Sequence, residues 1–193
     1  MCIGILRSPV AAFAAAKKRQ NINKTLVVLA EASVLLAVAV TPIILKALPT
    51  AGIATTAIFV FLLAFLSVML VGWVVDIVAK TLGGKGNYLD GLTTATYSSV
   101  FLAVGLFLSS VLLLLPLAGA LSVISLLLSG LVMLPAFAAG FASFYRGIKE
   151  MYKTDMITAL VTVSVTTLTI VTVIQLVAVL GLTNTSLLSL AKV

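Results

Sequence analysis

The chain has 193 residues, of which 62% are hydrophobic and only 9% charged, and its mean hydropathy is +1.32. A soluble domain carries about 25% charged residues; with so few, this chain cannot cover a water-facing surface, and its apolar excess must face lipid. Twelve Lys and Arg against five Asp and Glu give a net charge of +7, and histidine is absent, which removes Ser-His-Asp and Cys-His catalysis and zinc sites built from His and Cys.

Residues 1–24 are the one sizeable polar stretch. The single cysteine, Cys2, has no partner for a disulfide within the chain and reads as a cytoplasmic free thiol. The first 20 residues show no apolar run followed by a small-residue cleavage site, so no removable signal is expected. Ser8-Pro9 starts a helix, with Ser as N-cap and Pro at the first helical position. Val10, Phe13 and Ala14 share a face, and Lys17, Lys18 and Arg19 close the helix where cations complement its dipole. This pattern predicts a short interfacial helix on anionic headgroups, with a disordered basic tail as the alternative.

Five apolar spans follow, over about 25–45, 53–82, 92–115, 120–145 and 155–182, each long enough for the roughly 20 residues a hydrocarbon crossing needs. Together they make a transmembrane domain over 25–182, with a short non-cytoplasmic tail at 183–193. Pro42 lies in the last turns of the first span, and Pro49-Thr50-Ala51-Gly52 is a tight connection. Trp73 and Lys80 mark the end of the second span, and Gly83-Gly84-Lys85-Gly86 stops it through a left-handed glycine cap. Pro116-Leu117-Ala118-Gly119 turns the chain into the fourth span, where Pro135 predicts a kink. Residues Arg146 to Asp155 read as a charged connection, with Thr154 capping the fifth span.

Orientation follows from the basic residues. An N-terminus in the cytoplasm places Arg7, Lys17, Lys18, Arg19, Lys24, Lys80, Lys85, Arg146, Lys149 and Lys153 on the cytoplasmic side and leaves only Lys46 and Lys192 opposite. The inverted topology violates the positive-inside rule. The expectation is a multi-pass cell-membrane protein, N-terminus cytoplasmic and C-terminus not. Lys17, Lys18, Arg19, Lys85, Arg146 and Lys149 are then the candidate membrane-surface contacts.

Within the spans, Thr158, Thr162, Thr166, Thr169, Thr172 and Gln175 recur every three or four residues. That spacing keeps one polar stripe against a partner helix; a packing seam is favoured over a polar pathway. Gly105 with Ser109, and Ala136 with Gly140, supply small-residue contacts. Gly83-Gly84-Lys85-Gly86 is not a phosphate loop: the spacing is wrong, Gly follows Lys85 and no strand precedes it. No nucleic-acid surface, catalytic residue, metal site or cofactor is expected. Glu31 and Asp76 are the acidic residues inside the predicted spans, and with Lys80 they form a candidate intramembrane polar site. Asp76 can pair with Lys80 one turn away, and similar depths allow Glu31 and Asp76 to meet.

Leu82-Gly83-Gly84-Lys85-Gly86-Asn87-Tyr88 resembles the segment after the second span of prokaryotic Yip (Ypt-interacting protein) family members. Thr96-Tyr97-Ser98-Ser99, Tyr145-Arg146-Gly147-Ile148-Lys149-Glu150-Met151-Tyr152, and Pro9 followed by Phe13, resemble further segments of that family in the same order. The Asp-Leu-Tyr-Gly-Pro motif of its eukaryotic branch is not among these residues. The resemblance implies an all-α, five-helix membrane bundle with a short N-terminal helix and no catalysis. It implies a scaffold that organises or recruits partners: another membrane protein, a second copy, or, by family analogy only, a small GTPase. The rival reading is a small transporter or proton- or cation-coupled permease using Glu31 and Asp76; an intramembrane enzyme is third.

Overall fold

The computed structural model describes residues 2–19, 22–47, 52–114 and 120–190. Two short helices, α1 (Cys2–Arg7) and α2 (Pro9–Arg19), precede five long ones: α3 (Ile22–Ala47), α4 (Ile53–Thr81), α5 (Tyr88–Leu114), α6 (Ala120–Tyr152) and α7 (Met156–Leu190). All five long helices contain a stretch long and apolar enough to cross a membrane. Helices suit that solvent because they satisfy every backbone polar group internally. The expected turns at 48–51 and 115–119, and Lys192, lie outside the described residues.

Several boundaries differ from the sequence expectation. Helix α5 starts at Tyr88 rather than near 92, and α6 runs to Tyr152, so Arg146 to Tyr152 is helix and not a loop. Charge density misled there: Gly147, Ile148, Met151 and Tyr152 are buried among the other helices, and that packing carries the helix through its charged positions. Thr154 does not cap α7. Asp155 does, its Oδ2 accepting from the backbone N–H of Ile157 at 3.2 Å and of Thr158 at 3.4 Å. These bonds, with the Thr158 side chain foremost, hold the Asp155 carboxyl below its ordinary range. Helix α7 also continues past 182 to Leu190, so most of the expected tail is helical.

Helix α5 is the axis of the bundle, packed against α3, α4 and α6, while α7 rests on α4 and α6. From Asp90 to Ser98 every residue of α5 is buried. That stretch is largely Gly, Ala, Ser and Thr. Lipid tails are as apolar as leucine, so helices associate in a bilayer only where small side chains let backbones approach or hydroxyls bridge them. Both devices occur. A Cβ on Gly72 of α4 would lie 2.8 Å from Leu92 Cα, and one on Gly91 of α5 would lie 2.4 Å from the Gly72 carbonyl oxygen. Likewise, a Cβ on Gly105 would lie 2.3 Å from that of Ala136, so α5 and α6 meet through the small residues singled out above. Ser109 Oγ donates to the Ser129 carbonyl at 3.0 Å, and the Thr25 and Thr93 hydroxyls lie 3.2 Å apart.

Apolar cavities lie between the helices, three of them walled by described residues. One of about 730 Å³ is walled by α4, α5, α6 and α7. Another of about 400 Å³ lies between α5 and α6 with Leu6 of α1 on its wall, and a third of about 440 Å³ lies between α3 and α4.

The Gly72–Gly91 crossing yields a direct test. Gly91→Ala forces a methyl into backbone atoms and is expected to destabilise the protein by about 1–3 kcal/mol. Gly130→Ala, with nothing within 4 Å of the added Cβ, should leave stability unchanged or slightly raised. Thermal unfolding in mild detergent measures both; equal midpoints for the two variants would refute the close crossing.

Candidate functional site

One end of the bundle gathers most of the charge. It holds α2, the turn between α4 and α5, and the turn between α6 and α7, and is called the basic end below. Its construction begins with the glycine turn. After Leu82, Gly83 takes φ +86°, a left-handed conformation that costs glycine nothing. Gly83 N–H then reaches the Lys80 carbonyl at 3.0 Å and Gly84 N–H the Ala79 carbonyl at 2.8 Å, the paired bonds that close a helix C-terminus. Three residues later Asn87 opens α5. Asn87 Oδ1 accepts from Asp90 N–H at 3.1 Å, and Asp90 Oδ2 accepts from Asn87 N–H at 3.0 Å. This is a reciprocal capping box with Asn and Asp in the roles usual for Ser and Glu.

The turn grips the end of α6. Tyr152 is fully buried. Its ring lies against the backbone of Gly86, where an added Cβ would come within 2.3 Å of a ring carbon. Its carbonyl accepts from Lys85 N–H at 2.9 Å. Its hydroxyl sits between two acceptors, Asp76 Oδ1 and the Asn87 carbonyl, each at 3.2 Å. One phenol thus ties α6 to α4 and to the start of α5. Asp76 Oδ2 meanwhile accepts from Lys80 Nζ at 2.8 Å, so both carboxylate oxygens are engaged and the charge is compensated one helical turn away.

Helix α2 covers the same end. Ser8 supplies the carbonyl for its first bond, to Ala12 N–H at 3.1 Å. Phe13 is fully buried, its ring centroid 5.4 Å from that of Tyr97 in a tilted pair, a geometry worth about 0.5–1.5 kcal/mol beyond burial. Gly147 makes the room: a Cβ there would approach Phe13 Cε1 at 3.0 Å. The Lys17 ammonium donates to the carbonyls of Glu150 and Met151, the free acceptors at the negative end of the α6 dipole. Desolvation lowers the Lys17 pKa and the nearby Lys153 adds to this, against the attraction of Asp90 and Glu150. Asp90 is itself buried, with Oδ1 outside any hydrogen bond among the described residues, and its charge attracts the Lys17 ammonium.

The remaining predicted positions fall as follows. Lys18, Lys85, Arg146 and Lys149 are exposed at the basic end; the Arg19 side chain lies outside the described residues. Lys17, expected among membrane-facing cations, is instead partly buried on the α6 terminus, because the last carbonyls of that helix need a donor. Glu31 is partly buried on α3 and has an interaction of its own; the groups on Asp76 Oδ1 and Oδ2 are Tyr152 and Lys80. In the α7 stripe Thr162 and Thr166 are buried, Thr158 and Thr169 partly so, and Thr172 and Gln175 are exposed. The Thr162 hydroxyl donates to the Thr158 carbonyl at 2.8 Å, and that of Thr169 to the Val165 carbonyl at 2.8 Å, so these groups satisfy themselves on their own helix.

Sequence reasoning missed Tyr152, Asn87 and Asp90. The Asn-x-x-Asp spacing was a readable signal for a helix start, and it would have placed Asp90 inside α5. Nothing in the sequence marks Tyr152 as buried.

A family model, the Yip1 domain, matches residues 3–179. No curated protein and no solved structure matches the chain.

Tyr152→Phe keeps the ring and removes only the hydroxyl. The one phenol proton, shared between the buried Asp76 carboxylate and the Asn87 carbonyl, is lost, and the expected cost is about 1–3 kcal/mol. Tyr88→Phe is the control, since its exposed hydroxyl is 3.5 Å from the Met69 carbonyl. Detergent unfolding should separate the two variants; a wild-type midpoint for Tyr152→Phe would show that the phenol is no tie.

Proposed function

The chain belongs to the Yip1 domain family, and on that premise we propose that it is a non-enzymatic multi-pass membrane protein that organises or recruits membrane partners at its basic end, which faces the cytoplasm. The observation that carries this reading is the docking of α2. Phe13 seats in the bundle and Lys17 closes the α6 terminus, so the basic segment is held in one place. Lys18, Lys85, Arg146 and Lys149 stand exposed at that same end. A fixed cationic surface suits anionic headgroups and acidic partner surfaces, because its backbone is already ordered before binding and only side-chain freedom is lost. The partner class is another membrane protein or, by family analogy, a small GTPase.

The absence of histidine and the single cysteine support a role without catalysis. The three cavities described above give the transport reading no support, since Glu31, Asp76 and Lys80 line none of them.

Two experiments test the proposal. Cys2 is the one thiol in the sequence. A membrane-impermeant thiol reagent should leave it unlabelled in intact cells and label it after lysis; labelling in intact cells would reverse the topology. Phe13→Ala combined with Lys17→Met should undock α2 while the five long helices stay inserted in the membrane. Quantitative cross-linking should then show the membrane proteins held by the wild-type chain reduced severalfold, with membrane insertion unchanged. An identical cross-linked set in the double variant would reject recruitment through this end.

A further inference from the structure

The cavity of about 730 Å³ lies at one level of the bundle on every helix that forms it. On α5 its wall begins at Ala95, seven residues from Tyr88; on α6 it ends at Phe144, eight residues before Tyr152; on α4 it ends at Val71, ten residues before Thr81. At 1.5 Å per residue its upper rim is about 10–15 Å below the basic end, and Ile170 of α7 puts its floor about 21 Å below. Helix α4, at about 43 Å, exceeds the roughly 30 Å hydrocarbon thickness by about 13 Å, so each end projects about 6 Å. The cavity therefore begins just inside the hydrocarbon and reaches to about the bilayer midplane, the extent of one lipid chain.

Its walls suit such a chain. Two serines lie on them, and both hydroxyls are turned away: Ser98 Oγ donates to the Thr94 carbonyl and Ser99 Oγ to the Thr96 carbonyl, each at 2.8 Å. Both serine protons are thus committed within α5, and the other lining residues are apolar or glycine. The mouth opens sideways, where the lining residues Ala138, Phe141 and Ala142 are exposed. Above that mouth, at about 100° per residue, Lys149 falls between Ala138 and Ala142 on the helical wheel and Arg146 about 40° beyond Ala142. Both cations are exposed, and their flexible stems let the charged heads rise to headgroup level.

We propose that this cavity is a binding site for one chain of an anionic phospholipid, whose phosphate headgroup is held by Lys149 and Arg146. Charge complementarity selects the occupant: an apolar slot alone takes any hydrocarbon, whereas a slot beneath two cations on the same face of α6 prefers a lipid with net negative charge. A bound lipid also fills the gap left where α7 rests on α4 and α6, so it acts as part of the bundle and not as bulk solvent.

The test uses the full chain, purified in mild detergent and examined by native mass spectrometry. The probes are phosphatidylglycerol and phosphatidylcholine with identical acyl chains. The wild-type chain should retain one phosphatidylglycerol in preference to phosphatidylcholine by about 25-fold, each cation contributing about fivefold. Arg146→Gln with Lys149→Gln, both on exposed positions, should abolish the preference and keep the fold. Ala138→Leu with Ala142→Leu, at the cavity mouth, should lose both lipids. Equal retention of the two lipids by the wild-type chain overturns the headgroup assignment, and undiminished phosphatidylglycerol on the leucine variant overturns the cavity. Were the cavity occupied by a second copy, lipid-free dimers that the leucine substitutions dissociate would appear instead, and that result also rejects the proposal. Should the leucine variant not elute as a folded species, the glutamine variant alone decides: an unchanged lipid preference there refutes the site.

Discussion

The basic end depends on where Tyr152 sits. Its ring needs the Cβ-free backbone of Gly86, its hydroxyl needs Asp76 and the Asn87 carbonyl, and its own carbonyl needs Lys85 N–H. These contacts bring the end of α6 against the end of α4 and the start of α5. In a bilayer, apolar side chains gain little by leaving lipid for one another, so helix association rests on close backbone approach and interhelical polar contacts. Tyr152 provides both at one point. The glycines of the α4–α5 turn are accordingly packing residues as much as turn residues: Gly83 supplies the conformation and Gly86 supplies the space.

The same logic accounts for the charges. Asp76 is costly in a low-dielectric setting unless compensated, and Lys80 and Tyr152 occupy its two oxygens. Asp90 is also buried, its Oδ2 capping the start of α5, and Lys17 of a different helix lies close enough to be attracted by its charge. The N-terminal segment is thereby more than a tether. Removing α2 would take away a buried aromatic, the donor for the last α6 carbonyls, and a cation that Asp90 attracts. This links a surface element to the interior of the bundle and to the cationic face on which the proposed recruitment role depends.

Polar residues divide into two kinds in this fold. Thr162, Thr169, Ser98 and Ser99 bond to their own helices and so behave as small apolar residues toward their neighbours. Ser109, Thr25, Thr93, Asp76 and Tyr152 bond between helices and hold the bundle together. The serines and threonines of the two kinds are chemically identical in sequence. The threonine stripe of α7 looked like an interhelical seam by its spacing, yet it is buried only over its first turns, because α7 leans on α4 and α6 along part of its length.

The sequence alone determined that this is an all-helical membrane protein with five spans, because hydropathy and length are sums over local residues and the bilayer imposes the same helical answer on each. It also determined the helix stop at Gly83 and the Gly105 and Ala136 contact positions, since a left-handed cap and a small-residue spacing are local signals. It misplaced the start of α5 and the end of α6 because charge was read as loop, whereas Asp90, Ile148, Met151 and Tyr152 are buried there. The tertiary structure alone decided that Lys17 closes the end of α6 and that Tyr152 reaches Asp76. Those partners lie far apart in sequence, and which face each helix turns inward is fixed by packing against its neighbours, a quantity no single helix carries.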